Sequence, residues 1–294
     1  VDPIMVLAGL GVGIIVGLTG MGGGALMTPI LVLLFGVHPV AAISSDLAAS
    51  AIMKPFGGWV HARRGTVNWR LVAWLCAGSI PSAFLGVLLL DLFGSDENVQ
   101  HSVKIALGVA LLLAAGGMLL KAWTGRRNAN RPAAPITVKP VPTVLIGIMG
   151  GLVVGLTSVG SGSLIIVALL ALYPTLRAND LVGTDLIQAV PLVTAAALGH
   201  AFFGDLHLDI AGAVILGSIP GVLIGSRISS RAPGGLVRSA LVIVLLASSL
   251  KLFDLPTLVV GVVAGVAVLV AVGIGLHGRT TRQKQEEPVE AGIS

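Results

Sequence analysis

The chain has 294 residues, 55% of them hydrophobic and only 11% charged, with a mean hydropathy of +1.00. A soluble domain carries roughly a quarter charged residues, so an ordinary soluble globule is excluded and a membrane protein is indicated. The net charge of +5 would suggest nucleic acid in a soluble chain; here the basic residues cluster in short loops between apolar runs, where they set orientation in a bilayer, and no nucleic-acid partner is implied.

Val1-Asp2-Pro3 puts no basic stretch ahead of its apolar run, so no cleaved signal peptide is expected. Stretches free of Asp, Glu, Lys and Arg cover 3–45, 71–90, 140–176, 186–204 and 255–278, several of them long enough for a bilayer core that takes about 20 apolar residues. Helical spans are expected, because the ten-residue alternation of a transmembrane barrel is absent. The first apolar region, 4–35, is broken by Gly20-Met21-Gly22-Gly23-Gly24. A polar-faced helix follows, then the basic loop His61-Ala62-Arg63-Arg64-Gly65, further spans around an acidic loop at 91–97, and a linker at 124–142 with Arg126, Arg127, Arg131, Lys139 and four prolines. Beyond it come short segments at 143–156 and 163–172, a longer one at 180–203, a loop with Asp205 and Asp209, and a loop with Arg227, Arg231 and Arg238. A last span is expected at 255–276, and a solvated cytoplasmic tail from Arg279. Trp59, Trp69, Trp74 and Trp123 are expected at the membrane interface. Cys76 stands alone, which excludes a disulfide framework or a CxxC site.

The two halves of the sequence repeat one another. Gly17-Leu18-Thr19-Gly20-Met21-Gly22-Gly23-Gly24 matches Gly155-Leu156-Thr157-Ser158-Val159-Gly160-Ser161-Gly162 at an offset of 138. At an offset of 139, Ser45-Asp46-Leu47 matches Thr184-Asp185-Leu186, His61 matches His200, and Gly78-Ser79-Ile80-Pro81 matches Gly217-Ser218-Ile219-Pro220. The loop charges reverse between halves: basic then acidic in the first, acidic then basic in the second. With basic loops in the cytoplasm, the repeats are inserted upside down relative to one another, a transporter pattern. Segments of 143–156 and 163–172 fall short of a core about 30 Å thick, so they are read as a re-entrant hairpin with its Gly/Ser tip deep in the membrane, and 4–35 likewise; two tilted short helices would preserve the parity. The expected fold is an all-α integral membrane protein of two inverted-topology repeats with Gly-rich re-entrant hairpins and about seven full spans. Its divisions are 1–123, a cytoplasmic linker at 124–142, 143–253, and an extra span with tail at 254–294.

Irregular backbone at membrane depth is tolerated only where protein or a wet cavity satisfies it. The first tip lacks the Lys-Ser/Thr ending of a nucleotide-binding loop and follows no strand. Glycines there let successive N–H groups converge at the start of a short helix, so Gly20, Gly22, Gly23 and Gly24 are candidate anion ligands, with Thr19, Thr157, Ser158, Ser161 and Ser163 adding hydroxyl donors. Close packing through small residues is the competing reading. Asp46, Lys54 and Asp185 are the strongly ionisable residues inside apolar segments, each costing roughly 2.5–3.5 kcal/mol to insert. At about 100° per residue Asp46, Ser50, Lys54 and His61 share one helix face. The second half repeats the Asp/His spacing with Asp185 and His200, but Val193 stands for Lys54 and Gln188 adds an amide. Lys54 is therefore the expected contact for an anionic head group. Asp46 and Asp185 are alternatively helix caps, and His61 and His200 interfacial residues. Asp185, with no basic match at Val193, is the better candidate for reversible protonation. No metal-ligand spacing, nucleophile or cofactor motif is present, so neither an enzyme nor a cofactor is expected.

Taken together, GLTGMGGG, SSDLAASAIMKPFGGWVHARRGTVNWR, GLTSVGSGS, VGTDLIQAVP and GSIPG resemble the TauE/SafE family of membrane anion exporters over about residues 4–253. The resemblance implies a secondary transporter in the cytoplasmic (inner) membrane, with its C-terminus cytoplasmic. Its substrate would be a small sulfur oxyanion or C2 sulfonate such as sulfite or sulfoacetate, exported by alternating access. It points to the two tips, Asp46, Lys54 and Asp185. A proton-coupled importer of a sulfonate or another small anion is the alternative.

Overall fold

Proline and glycine set the helix boundaries of this chain. In the computed structural model, residues 2–19, 23–63, 65–94, 96–128, 136–176, 178–203, 206–228 and 234–269 are described. They form eleven helices and no strand: α1 (Pro3–Thr19), α2 (Gly24–Leu34), α3 (Pro39–Arg63), α4 (Trp69–Phe93), α5 (Glu97–Asn128), α6 (Pro140–Thr157), α7 (Leu164–Leu172), α8 (Ala178–Phe203), α9 (Leu208–Ile228), α10 (Gly234–Leu252) and α11 (Thr257–Leu269). α1, α3 and α6 begin on proline, whose missing N–H would have been unpaired there anyway. Asn68 caps α4 by accepting the Leu71 N–H at 3.2 Å, and Gly94, at φ 82°, ends it.

Five helices are long and apolar enough to cross a membrane: 69–93, 97–120, 140–157, 180–203 and 208–228. The sequence-based count of seven differs in four respects, two of them being that the apolar helices Ser239–Leu252 and Thr257–Leu269 are too short for spans among the described residues. α6 starts three residues ahead of the expected segment, at Pro140, and qualifies by its 18 residues. α3 is 25 residues long, but Ser44, Ser45, Asp46, Ser50 and Lys54 lower its hydropathy. The outer surface is that of a membrane protein. Leu7, Leu92, Phe93, Met149, Phe202, Leu216 and Leu258 are exposed on it, an apolar coat unsuited to water. Trp59, Trp69 and Trp74 are also exposed, with the Arg63 guanidinium 3.8 Å above the Trp59 ring. The side chain of Trp123 and the tail from Arg279 lie outside the described residues.

Two helix pairs dominate the packing: α1 lies along α9, and α4 along α6. Both pairs close through glycine. A Cβ on Gly13 would stand 2.8 Å from the Ser218 Cα, and one on Gly225 3.0 Å from the Ile14 Cα. In the other pair, a Cβ on Gly151 would stand 2.7 Å from the Ser79 Cα, and one on Gly155 3.1 Å from the Ala83 Cα. Such distances hold only where no side chain intervenes, and lipid offers no hydrophobic drive in their place. The positions correspond: Gly9, Gly13 and Gly17 precede Gly147, Gly151 and Gly155 by 138, and Gly78 and Gly86 precede Gly217 and Gly225 by 139. Each tip-bearing helix, α1 or α6, is thus bedded on a helix from the opposite half. α3 packs on α8 between these pairs, and α5 on α10.

Candidate functional site

Ser44, Asp46, Ser50 and Lys54 bury their side chains on α3, against segments far away in the sequence. Asp46 Oδ2 accepts the hydroxyl of Thr28 from α2 at 3.2 Å and that of Ser158 from the second tip. Its other oxygen, Oδ1, is buried without a hydrogen-bond partner. Two turns on, Lys54 Nζ donates to Ser161 Oγ at 2.5 Å. Two carboxylates, Asp185 of α8 and Asp46, lie near enough to act electrostatically on that ammonium. Between them along the helix, Ser50 Oγ is buried without a partner.

The tips meet at this point. A Cβ on Gly24 would stand 2.7 Å from Ser158 Oγ and 2.9 Å from Asp46 Oδ2, so glycine is what lets the first tip approach the second. Gly23 lies on the Oδ1 side, where a Cβ would stand 3.8 Å from that oxygen. The second tip is shaped by its own backbone: Ser158 closes α6 in the left-handed region (φ 59°), and Gly160 and Gly162 turn the chain at φ 130° and 94°. The Gly160 carbonyl then accepts the Leu164 N–H at 3.0 Å, opening α7.

Among the expected site residues the structure brings together Gly23, Gly24, Asp46, Lys54, Ser158 and Ser161. Gly20 and Gly22, and the side chains of Thr19 and His61, lie outside the described residues. Thr157 turns its hydroxyl onto its own helix, 2.6 Å from the Val153 carbonyl, and so braces the tip. Ser163 is buried at the start of α7 and makes no side-chain cap bond. Gln188 donates from Nε2 to Ser79 Oγ at 2.9 Å, and its Oε1 is buried without a partner.

His200 is fully buried, unlike an interfacial residue. Its Nε2 lies 3.1 Å from the Gly155 carbonyl, and its Nδ1 lies 2.9 Å from Ser44 Oγ. A carbonyl only accepts, so Nε2 carries hydrogen and, in the neutral ring, Nδ1 accepts from Ser44. The imidazole therefore ties α8 to both α6 and α3. Sequence reasoning passed over Thr28 and Ser44. The signal for Thr28 was available: it is the lone hydroxyl in an otherwise apolar α2. Among the described residues no group of three or more His, Cys, Asp or Glu could hold a metal.

The model of the family described as sulfite exporter TauE/SafE matches residues 5–252. A probable membrane transporter protein of Bacillus subtilis, YjnA, is 42% identical over 251 residues, covering 84% of this chain and 98% of its own length. A second from the same organism, YdhB, is 23% identical and covers 78% of this chain and 91% of its own. A probable membrane transporter protein of Methanocaldococcus jannaschii is 27% identical, covering 78% and 88%. No solved structure matches the chain.

Proposed function

The chain belongs to the sulfite exporter TauE/SafE family, and we propose that it is a secondary transporter that moves a small sulfur oxyanion or C2 sulfonate out across the cytoplasmic membrane by alternating access. One observation carries the reading. Lys54 is a buried ammonium whose hydrogen bond goes to Ser161 of the second tip, and Ser50, one turn before it on the same helix, buries a hydroxyl without a partner. An ammonium has three donors, and leaving them unmet in apolar surroundings is costly, so an oxyanion is the natural occupant. Lys54, Ser50, Ser161, Gly23 and Gly24 would contact it, and Asp46, Asp185, Gln188 and His200 would hold the surrounding helices in place.

The matched glycine contacts support reading α1–α5 and α6–α10 as inverted repeats, with α1–α2 and α6–α7 as the hairpins whose tips meet at the site. Alternating access then changes the packing of α3 and α8 around a fixed centre. A negative interior favours exit of an anion by roughly 2.3 kcal/mol per charge per 100 mV, so export of a bare anion requires no coupled ion. A second reading, proton-coupled movement, is favoured by the surplus of buried carboxylates over buried ammonium groups at the centre. Flux into and out of proteoliposomes, measured for sulfite, sulfate, thiosulfate and sulfoacetate, tests the assignment. Transport of none of them would overturn it.

A further inference from the structure

Resting on the anion site just proposed at Lys54, we infer that Asp46 Oδ1 takes up a proton together with the anion, so that the two are bound and carried as a pair. The two oxygens of this carboxyl are unequal. Oδ2 is occupied as an acceptor by the hydroxyls of Thr28 and Ser158, whereas Oδ1 is fully buried and accepts nothing. A proton therefore goes to Oδ1, and the resulting O–H is a donor in a place that has no acceptor until an oxyanion arrives. The proton comes from water on the side from which the anion enters, and it leaves with the anion.

The charge balance points the same way. Asp46 and Asp185 together outweigh Lys54 by one negative charge, and a bound anion adds another with no further buried cation among the described residues to oppose it. α2 and the second tip carry no titratable group, and α8 carries Asp185, which acts on Lys54, and His200, which bonds Ser44 and the Gly155 carbonyl. α9 carries Asp209 and Arg227 only in its end turns, and α5 carries Glu97, His101 and Lys104 in its first turns. Anion and proton binding thus assist one another, and by linkage the assistance is reciprocal. Asp46 is set apart from Asp185 by its place, with Oδ2 held by α2 and the second tip where the two tips meet.

The experiment uses ethanesulfonate, a monovalent anion that stays ionised across the range tested, and the full chain in proteoliposomes with a trapped pH dye and a potassium–valinomycin voltage clamp. The expected result is one proton taken up per anion and a flux unchanged by voltage. Asp46→Asn imitates the protonated carboxyl, since its oxygen can still accept from Thr28 and Ser158. The flux that remains in this variant should carry no dye signal, follow voltage and show a flat profile between pH 5 and 9. Asp185→Asn should lower flux and keep the proton-to-anion ratio. Flux that follows voltage with a silent dye in the wild type overturns the inference while leaving the anion site standing, as does a requirement for sodium. If Asp46→Asn does not fold, the wild-type ratio alone decides. Absence of Lys54-dependent flux overturns the anion reading and this inference with it.

Discussion

α3 and α8 occupy matched places in the sequence yet differ at the centre. On α3, Asp46, Ser50 and Lys54 form a polar face that reaches Thr28, Ser158 and Ser161. On α8, Leu192, Val193 and Ala196 are buried in an apolar cluster with Ala83 of α4, and a Cβ on Gly199 would stand 3.1 Å from the Val87 Cβ. The α8–α4 seam is packed more extensively than its counterpart between α3 and α9. That counterpart leaves a small apolar recess lined by Met53, Phe56, Ile219, Val222 and Leu223. Close glycine contacts recur at matched sequence positions, whereas Lys54, matched by Val193, puts an ammonium on α3 and an apolar side chain on α8. The lesson is that matched packing positions do not oblige matched chemistry.

The sharpest way to break this comparison is to move the cation. Lys54→Met should reduce anion flux on the order of 100-fold or more, the scale expected when the cation of a buried charge contact is truncated, with the size-exclusion profile unchanged. Adding Val193→Lys to Lys54→Val should not restore flux, because Val193 is fully buried among apolar neighbours. Recovery in the double variant would mean that the halves are interchangeable at this depth.

Sidedness comes next. In a Cys76→Ser background, single cysteines at Thr66 and Leu206 should react with an impermeant thiol reagent from opposite sides of the membrane. Reaction of both from one side would refute the inverted arrangement of the halves.

The shared frame can be stressed at matched points. Gly13→Leu and Gly151→Leu each force a side chain against backbone of the partner helix, and each should destabilise the protein by about 1–3 kcal/mol or more, read as lost folded yield and a lower Tm in detergent. Gly116→Ala is the control, since a Cβ there meets nothing within 4 Å. Equal losses at Gly13 and Gly151 sharpen the case for equivalent frames, and a loss at only one argues against it.

The smallest effect is expected at the solvent-exposed ion pair of Lys104, near the start of α5, with Asp254 in the α10–α11 turn, 2.6 Å apart. The hydrogen bond from the Lys104 ammonium, with its charge behind it, holds the Asp254 carboxyl below the usual aspartate range. A depressed carboxyl adds stability that is present above its ordinary titration and lost as pH falls through the folded value. The pair is exposed to solvent, where such contacts contribute little. Lys104→Ala should therefore leave Tm at neutral pH almost unchanged, with any difference from wild type vanishing toward acid. A large drop would mean that the α10–α11 turn is anchored more firmly than its exposure implies.

Most of the frame was legible from residues that report local physics. Charge-free runs marked α1, α4, α6 and most of α8, and the repeated Gly-rich strings marked both tips. The start of α6 was missed because Pro140 was assigned to the linker, although its missing N–H suits a first helical turn. Lys54 and Asp46 stood out as costly charges in apolar sequence, a signal that needs no neighbours to be read. The fate of the hydroxyls was not legible: Thr157 and Ser158 are adjacent and chemically alike, yet one bonds its own helix and the other reaches Asp46. His200 carried the same ambiguity, since its distance from a helix end does not tell burial from exposure.

The sequence by itself determined that this chain is helical, belongs in a membrane, repeats its Gly-rich strings and carries Asp46, Lys54 and Asp185 in apolar segments. These follow from hydropathy, residue spacing and the cost of placing charge in lipid, which depend on composition along the chain. Only the tertiary structure decided that Gly24, Ser158 and Asp46 meet at one point, that Lys54 rests on Ser161, and that one oxygen of Asp46 is left without a partner. Those contacts join residues more than a hundred positions apart, and their geometry is set by how closely glycine lets the helix pairs approach, a quantity that no local pattern encodes.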